Sequence, residues 1–287
     1  MQTAGLRQFE RCADALTAAG RLDRWFERCP SAVVALSGGV DSTLVAFWAR
    51  RVLGREGIVA YTADSPSLKR ADLEIARALC IDLDIPQKIV RTDEIDDPRY
   101  AANPVNRCFH CKTTLYHTLA RTLARGSDAA WILSGANLDD LGDYRPGLEA
   151  AANARVRHPL LECGIGKDII RELARSHGIS VWDKPASPCL SSRIPYGQPV
   201  SREKLARVEA AERWLFAAGF EICRVRHDGA TARIEVPPER IDALRAILPR
   251  AREALRAEGF EAVELDREGF VSGKLNRGIA RRAKTAD

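Results

Sequence analysis

The chain has 287 residues, 46% hydrophobic and 29% charged, a balance that excludes a disordered or fibrous protein. Its net charge of +5, from 44 basic against 39 acidic residues, permits an anionic ligand but is too small to announce a nucleic-acid binder. No apolar run reaches the ~18–20 residues that cross a bilayer, and the charged N-terminus "MQTAGLRQFERCADAL" lacks the apolar core of a signal peptide, so a cytoplasmic protein with no membrane and no nucleic-acid partner is expected.

From the N-terminus, apolar strand-like runs at 32–36, 57–64, 87–93 and 129–137 alternate with amphipathic stretches at 43–53, 68–83, 112–124 and 167–177. This is the pattern of βαβ units and predicts a doubly wound α/β domain with a parallel sheet over residues 1–180, its ligands beyond the carboxyl ends of the strands. Residues 181–200, "VWDKPASPCLSSRIPYGQPV", hold four Pro without periodicity and read as a domain junction. Beyond them, a helix at 202–218, strands in "EICRVRH" and "ARIEV", a helix at 238–258 and a strand in "FEAVELD" predict a smaller α+β domain over 181–287. The end of the chain, "NRGIARRAKTAD", lacks apolar periodicity and reads as a loose tail.

Four segments carry chemistry. In "AVVALSGGVDST" a buried strand runs into Ser37, Gly38, Gly39, Val40, Asp41, Ser42 and Thr43 and then into an apolar helix. Adjacent glycines let backbone N–H groups approach an anion, and the helix N-terminus behind them adds positive potential. No Lys follows the glycines, so this is not a Walker loop. The alternative is a turn that uses glycine for shape alone. In "NPVNRCFHCKTTLY" Cys108 and Cys111 form a C-x-x-C pair followed by Lys112, a spacing that lets two thiolates reach one metal, although a pair of partly buried cysteines has the same pattern. Cys189, in the polar "KPASPCLSSRIPYG", is the third thiol to recruit. Cys12, Cys29, Cys80, Cys163 and Cys223 sit in apolar or helical contexts and read as small buried hydrophobes. Eight Cys in a reducing compartment do not make a disulfide framework. The segment "SGANLDDLGDYRPG" brings Asn137, Asp139, Asp140, Asp143, Tyr144 and Arg145 to the ligand edge of the sheet, as a functional loop or a solvated one. In "CRVRHDGATARIEV" Arg224 and Arg226 share a strand face and offer two forks to a phosphate or carboxylate, or else form a solvated face.

The first of these motifs resembles the pyrophosphate loop (PP-loop) of ATP pyrophosphatases. With "NRCFHCK", "GANLDDLGDYRPG", "KPASPCLSSRIPYG", "RVRHDGATARIEV" and "VELDREGFVSGKLN" in order, the chain resembles the LarE family of ATP-dependent sulfur transferases from residue 35 to residue 276. The resemblance implies adenylation of a carboxylate of a pyridinium-3,5-biscarboxylic acid mononucleotide, with AMP and pyrophosphate formed, and then replacement of the activated oxygen by sulfur, in synthesis of a nickel-pincer nucleotide cofactor. It implies that Ser37, Gly38, Gly39, Asp41, Ser42 and Thr43 hold ATP and that Asp41 helps hold Mg2+. Members of the family obtain sulfur either from one sacrificed cysteine, here Cys189, or through three cysteines that hold a [4Fe-4S] cluster able to carry an extra sulfide. Cys108, Cys111 and Cys189 match the second pattern, and Lys112 matches a lysine beside the site. Ser192, Arg193, Arg224, Arg226 and Glu235 lie in segments that hold the substrate phosphate or nearby ligands. Phe270 and Lys274 stand where the resemblance leads one to expect Tyr and Ser. The partners implied are a small-molecule nucleotide, sulfide or a sulfur-donor protein, and further copies of the chain in a homo-oligomer. Two rival readings are another PP-loop enzyme, such as a tRNA thiolase or an amidotransferase partner, and a zinc-stabilised nucleotide-binding protein.

Overall fold

A computed structural model describes residues 2–123, 130–142, 144–271 and 274, with side chains from residue 13 onward. The chain divides into two compact units, Met1–Glu94 with Cys108–Ser187, and Ile95–Arg107 with Pro188–Asp287.

In the first unit a long helix α1 (Gln2–Phe26) precedes β1 (Ala32–Ala35), α2 (Val40–Leu53), β2 (Ile58–Asp64), α3 (Arg70–Asp82) and β3 (Gln87–Arg91). The helix α4 (Pro98–Ala101) belongs to the second unit, and the chain returns to the first with α5 (Arg107–Leu123), β4 (Trp131–Leu133), α6 (Pro146–Asn153), α7 (Pro159–Glu162) and α8 (Lys167–Ser176). The four strands form one parallel sheet in the order β3-β2-β1-β4, with Val33 paired to both Val59 and Ile132. Strand alternation sends Ala32 and Val34 to one face, where they pack with α1, α2 and α8, and Val33 to the other, where it meets Leu115, Tyr116 and Leu119 of α5. Helices therefore cover both faces, as the α/β periodicity predicts. Because β1 feeds β2 on one side and β4 lies on its other, the loops after β1 and β4 flank the switch point of the sheet, where open α/β folds bind ligands. Strand β4 is shorter than its apolar run suggests: the backbone turns away after Leu133 to bring Gly135 against α2. Helix α1, which the sequence reading did not assign, buries Ala15, Ala18, Leu22, Trp25 and Phe26, a spacing of one helical stripe.

The second unit joins α9 (Arg202–Ala217), the hairpin β5 (Arg224–Asp228) and β6 (Thr231–Glu235), α10 (Ile241–Ala257) and β7 (Ala262–Leu265), with β5 antiparallel and β7 parallel to β6. Val225, Ala232 and Ile234 of the sheet pack with Leu215, Leu244 and Leu255 of the helices. Residues 95–107 join this unit through Asn103, whose left-handed backbone (φ 55°) aims its amide at the carbonyls of Pro195 (2.8 Å) and Gln198 (3.0 Å). Among the described residues no helix is long and apolar enough to cross a membrane.

Burial of His227 yields a stability prediction. The imidazole is 2% exposed beside Phe260, and neither ring nitrogen has a hydrogen-bond partner. Burial, then the cations Lys204 and Arg207, push its pKa below the ordinary histidine value. The unfolded chain therefore takes up a proton near pH 6.5 that the folded chain refuses, so stability is complete above that pH and falls as pH drops toward the folded value, by at most about 1.4 kcal/mol per pH unit for one proton. Urea unfolding at pH 7.5 and pH 5.5 is expected to show a smaller acid loss for His227→Phe than for the parent chain; equal losses would assign the slope to other groups, such as the half-buried His158, whose pKa burial also lowers.

Candidate active site

The loop after β1 is braced from within. The Ser37 N–H donates to Ser42 Oγ (3.1 Å), Ser42 Oγ donates to the Gly39 carbonyl (3.1 Å), and Thr43 Oγ1 donates to the same carbonyl (2.8 Å). Gly38 has φ 75°, and a Cβ there would stand 2.8 Å from the Asp72 carbonyl, so only glycine lets the loop turn this tightly against α3. Gly39 caps α2 with no side chain, which leaves the first-turn amides of α2 to face an incoming anion. A Cβ on Gly135 would lie 2.5 Å from the Ser42 nitrogen, and this close approach brings the loop after β4 onto the same helix start.

Two lysines that local pattern did not single out complete this centre. Lys167 Nζ forks both oxygens of Asp41 (2.7 and 2.6 Å), and Asn137 Nδ2 reaches Asp41 Oδ1 at 3.5 Å. Lys167 is itself placed by Asp139, whose Oδ2 accepts the Lys167 backbone N–H (2.6 Å) at the start of α8. The acidic loop after β4 is thus largely a scaffold: Asn137 Oδ1 accepts from the Asp139 amide (3.0 Å), and Asp140 accepts from the Asn137 amide (3.0 Å) and from Arg145 (3.0 Å). Tyr144 is exposed, and Asp143 lies outside the described residues. The second lysine, Lys184, donates to the Gly38 carbonyl (3.0 Å) and to Asp72 Oδ1 (2.8 Å), while Ser187 Oγ donates to Asp72 Oδ2 (2.8 Å).

Cys108 and Cys111 lie in the first two turns of α5, one residue exposed and the other half-buried, with Lys112 Nζ 5.9 Å from the centre of the Tyr116 ring. Their i, i+3 spacing puts both thiols on one helix face. Cys29, Cys80, Cys163 and Cys223 are buried, and burial pushes the Cys29 and Cys80 thiols up to about 11. These are inert thiols, not ready ligands. The side chain of Cys12 lies outside the described residues.

The second unit holds Cys189 and the arginines. Cys189 is half-buried and caps the short 3-10 turn Leu190–Arg193. Three guanidinium groups hold the carbonyls of this turn: Arg193 Nη1 donates to those of Pro188 (2.8 Å) and Cys189 (3.1 Å), Arg107 Nη1 to that of Ser191 (3.0 Å), and Arg226 Nη1 to that of Ser192 (2.8 Å). Arg193 has no exposed surface and forks Glu212 (2.7 and 3.0 Å). Breaking such a pair from one side costs about 3–5 kcal/mol, so its contacts are those of a residue that positions the turn. Arg226 also places Nε and Nη2 on Glu235 Oε2 (3.0 and 2.7 Å), and Glu235 is 1% exposed. Arg224, on the same strand face, lies 5.0 Å from the centre of the Phe270 ring; burial, then the like charge of Arg193, lowers its pKa. Lys274 Nζ donates to Asp266 Oδ1 (2.8 Å) and lies 3.5 Å from Glu235 Oε1.

Among the described residues no three or more His, Cys, Asp or Glu side chains gather around one point that a metal ion could occupy. Cys108 and Cys111 belong to the first unit and Cys189 to the second. As a donor set, three thiols that escape deep burial suit an iron-sulfur cluster better than a hard cation. A carboxylate at the mouth of an anion loop, as at Asp41, suits Mg2+.

Residues 26–105 match the NAD synthase family model, a range that covers β1, the glycine loop, β2 and β3. A 65-residue stretch is 38% identical to the NH3-dependent NAD+ synthetase of Campylobacter jejuni, 23% of this chain and 26% of that protein. An uncharacterised protein of Synechocystis is 45% identical over 89% of this chain and 96% of its own length. The pyridinium-3,5-bisthiocarboxylic acid mononucleotide synthase of Lactiplantibacillus plantarum is 37% identical over 85% of this chain and 88% of its own. The chain belongs to the LarE family. As a LarE-type enzyme it is an ATP-dependent sulfur transferase of PP-loop type, and the NAD synthetase match is confined to the ATP-binding part that such enzymes share.

Proposed function

We propose that this chain adenylates a carboxylate of pyridinium-3,5-biscarboxylic acid mononucleotide and converts it to a thiocarboxylate. The observation that carries the reading is the Ser37–Thr43 loop at the switch point of the sheet, with Asp41 and Lys167 paired at its mouth. The acceptor carboxylate oxygen attacks the α-phosphorus of ATP, and the bond from that phosphorus to the bridging oxygen breaks. The leaving pyrophosphate is received by the first-turn amides of α2 and the Ser37 hydroxyl, and the hydroxyls of Ser42 and Thr43 rotate from the Gly39 carbonyl to join them. Lys167 moves from Asp41 to the pyrophosphate, and Asp41 helps hold Mg2+. Sulfide then adds to the acyl carbon and AMP departs with the activated oxygen.

Cys108, Cys111 and Cys189 would hold a [4Fe-4S] cluster, with Lys112 beside it. Such a cluster, when bound by three thiolates, supplies a site for an additional sulfide, drawn from sulfide or a sulfur-donor protein. Arg193 and Arg107 fix the Cys189 backbone by its turn carbonyls. Arg224 and Arg226, with Glu235 beneath them and Ser192 alongside, bind the nucleotide phosphate of the acceptor.

With ATP labelled at the γ position and the mononucleotide present, the label is expected in pyrophosphate, with AMP formed in equal amount. Labelled orthophosphate together with ADP would overturn this assignment.

A further inference from the structure

We propose that Lys274 is a positioning residue for the acceptor's phosphate: it shares the buried carboxylate of Glu235 with Arg226 and so leaves Arg226 with positive potential to spend on an anion. The inference rests on the reading of Arg226 as a phosphate ligand.

The geometry separates two sides of one carboxylate. Arg226 takes Glu235 Oε2 with Nε and Nη2, and Lys274 Nζ stands 3.5 Å from Oε1. Glu235 is 1% exposed and Arg226 11%, so water screens this group poorly. Of the five N–H bonds of Arg226, the contacts to Glu235 and to the Ser192 carbonyl use three, and one remains on each Nη. One N–H on each of two neighbouring nitrogens is enough for a two-point contact of the kind that takes a phosphate.

Charge then decides whether the fork attracts one. Arg226 and Glu235 alone make a neutral pair. Around them stand Arg224, Lys274 and Asp266, the last 10% exposed and bonded to Lys274 at 2.8 Å. Arg233, with Nε 3.6 Å from Asp266 Oδ2, is a fourth cation, but at 39% exposure it is more screened. Among the poorly screened groups three cations thus face two carboxylates, and Lys274 supplies the excess. Glu268, 3.4 Å from Lys274, is half exposed and largely screened. Burial opposes the charge on Lys274, but the hydrogen bond it donates to Asp266 and the field of Glu235 outweigh it and hold its pKa above that of an ordinary lysine. Lys274 itself points its ammonium at carboxylates and at the Gly269 carbonyl (3.2 Å), which makes it a counter-ion and not a phosphate ligand.

The test is calorimetric titration of the full chain with pyridinium-3,5-biscarboxylic acid mononucleotide, with ATP titrated as a control. Lys274→Met keeps the stem of the side chain and removes the charge; it is expected to weaken the mononucleotide about tenfold and leave ATP unchanged. Lys274→Arg should restore affinity. Adding Glu235→Gln to Lys274→Met removes one carboxylate along with one cation, so the double variant should recover most of the loss, a non-additivity that a merely structural lysine would not produce. If Arg226→Ala weakens the mononucleotide but Lys274→Met does not, or if the double variant stays as weak as the single one, the role of Lys274 is overturned and the phosphate site stands. If Arg226→Ala leaves mononucleotide binding intact, the phosphate site itself falls, and Lys274 with it.

Discussion

Cys189→Ala is expected to remove both iron binding and sulfur transfer, whereas Cys163→Ala and Cys223→Ala keep both. The three positions differ in surroundings. Cys163 and Cys223 are 9% and 5% exposed, and burial raises the pKa of Cys163, so each acts mainly as a small apolar filler, with Cys223 Sγ also donating weakly to the Glu212 carbonyl (3.8 Å). Cys189 is half-buried on a turn whose backbone is secured through carbonyls, by Arg193, Arg107 and Arg226, and none of these contacts uses the thiol. Alanine at 189 should therefore leave the turn in place and delete only the ligand. Anaerobic reconstitution followed by iron and sulfide quantification, with circular dichroism as the fold control, reads the outcome. A Cys189→Ala protein that retains the parent's iron would contradict the assignment of this thiol.

Asp41→Asn should lower the magnesium-dependent rate of pyrophosphate release by about a hundredfold, the order found when one preorganised electrostatic contact to a transition state is lost. Asparagine preserves the shape of Asp41 and one acceptor for Lys167, but it removes the charge that a divalent cation needs. The fold should survive: the Asp41–Lys167 pair is partly exposed, 26% and 35%, and pairs of that kind contribute about 0–1 kcal/mol. Stopped-flow detection of pyrophosphate across a Mg2+ titration, beside an unchanged thermal midpoint, checks both halves. A parent-like rate would show that Asp41 does not take part in holding the metal.

What was legible in the sequence was what is local in it. The glycine loop could be read because strand, turn and helix start are contiguous, and the parallel sheet because its strands alternate with amphipathic stretches. The pairing of Lys167 with Asp41 spans 126 residues, and that of Lys184 with Asp72 spans 112; no pattern within a helical window reports either. The acidic loop after β4 reads in sequence as a functional loop or a solvated one, yet Asp139 and Asp140 serve mainly to place Lys167 and Asn137, because short carboxylates near backbone amides readily cap them. Arg193 shows the same limit. Its place beside Ser192 suggests a phosphate ligand, while its burial against Glu212, in a helix that begins nine residues later, is a tertiary fact. Helix α1 was within reach of the periodicity, since its buried residues recur at three and four positions, but charged residues through the same stretch obscured the stripe.

The most direct test of the account is to follow the mononucleotide and the intact protein together by mass spectrometry, under anaerobic conditions with ATP, Mg2+ and excess sulfide. The account predicts more than one thiocarboxylate per protein chain, an AMP for each, and a chain whose Cys189 is unchanged at the end. A single sulfur transferred per chain, with Cys189 converted to dehydroalanine and no iron in the protein, would contradict it.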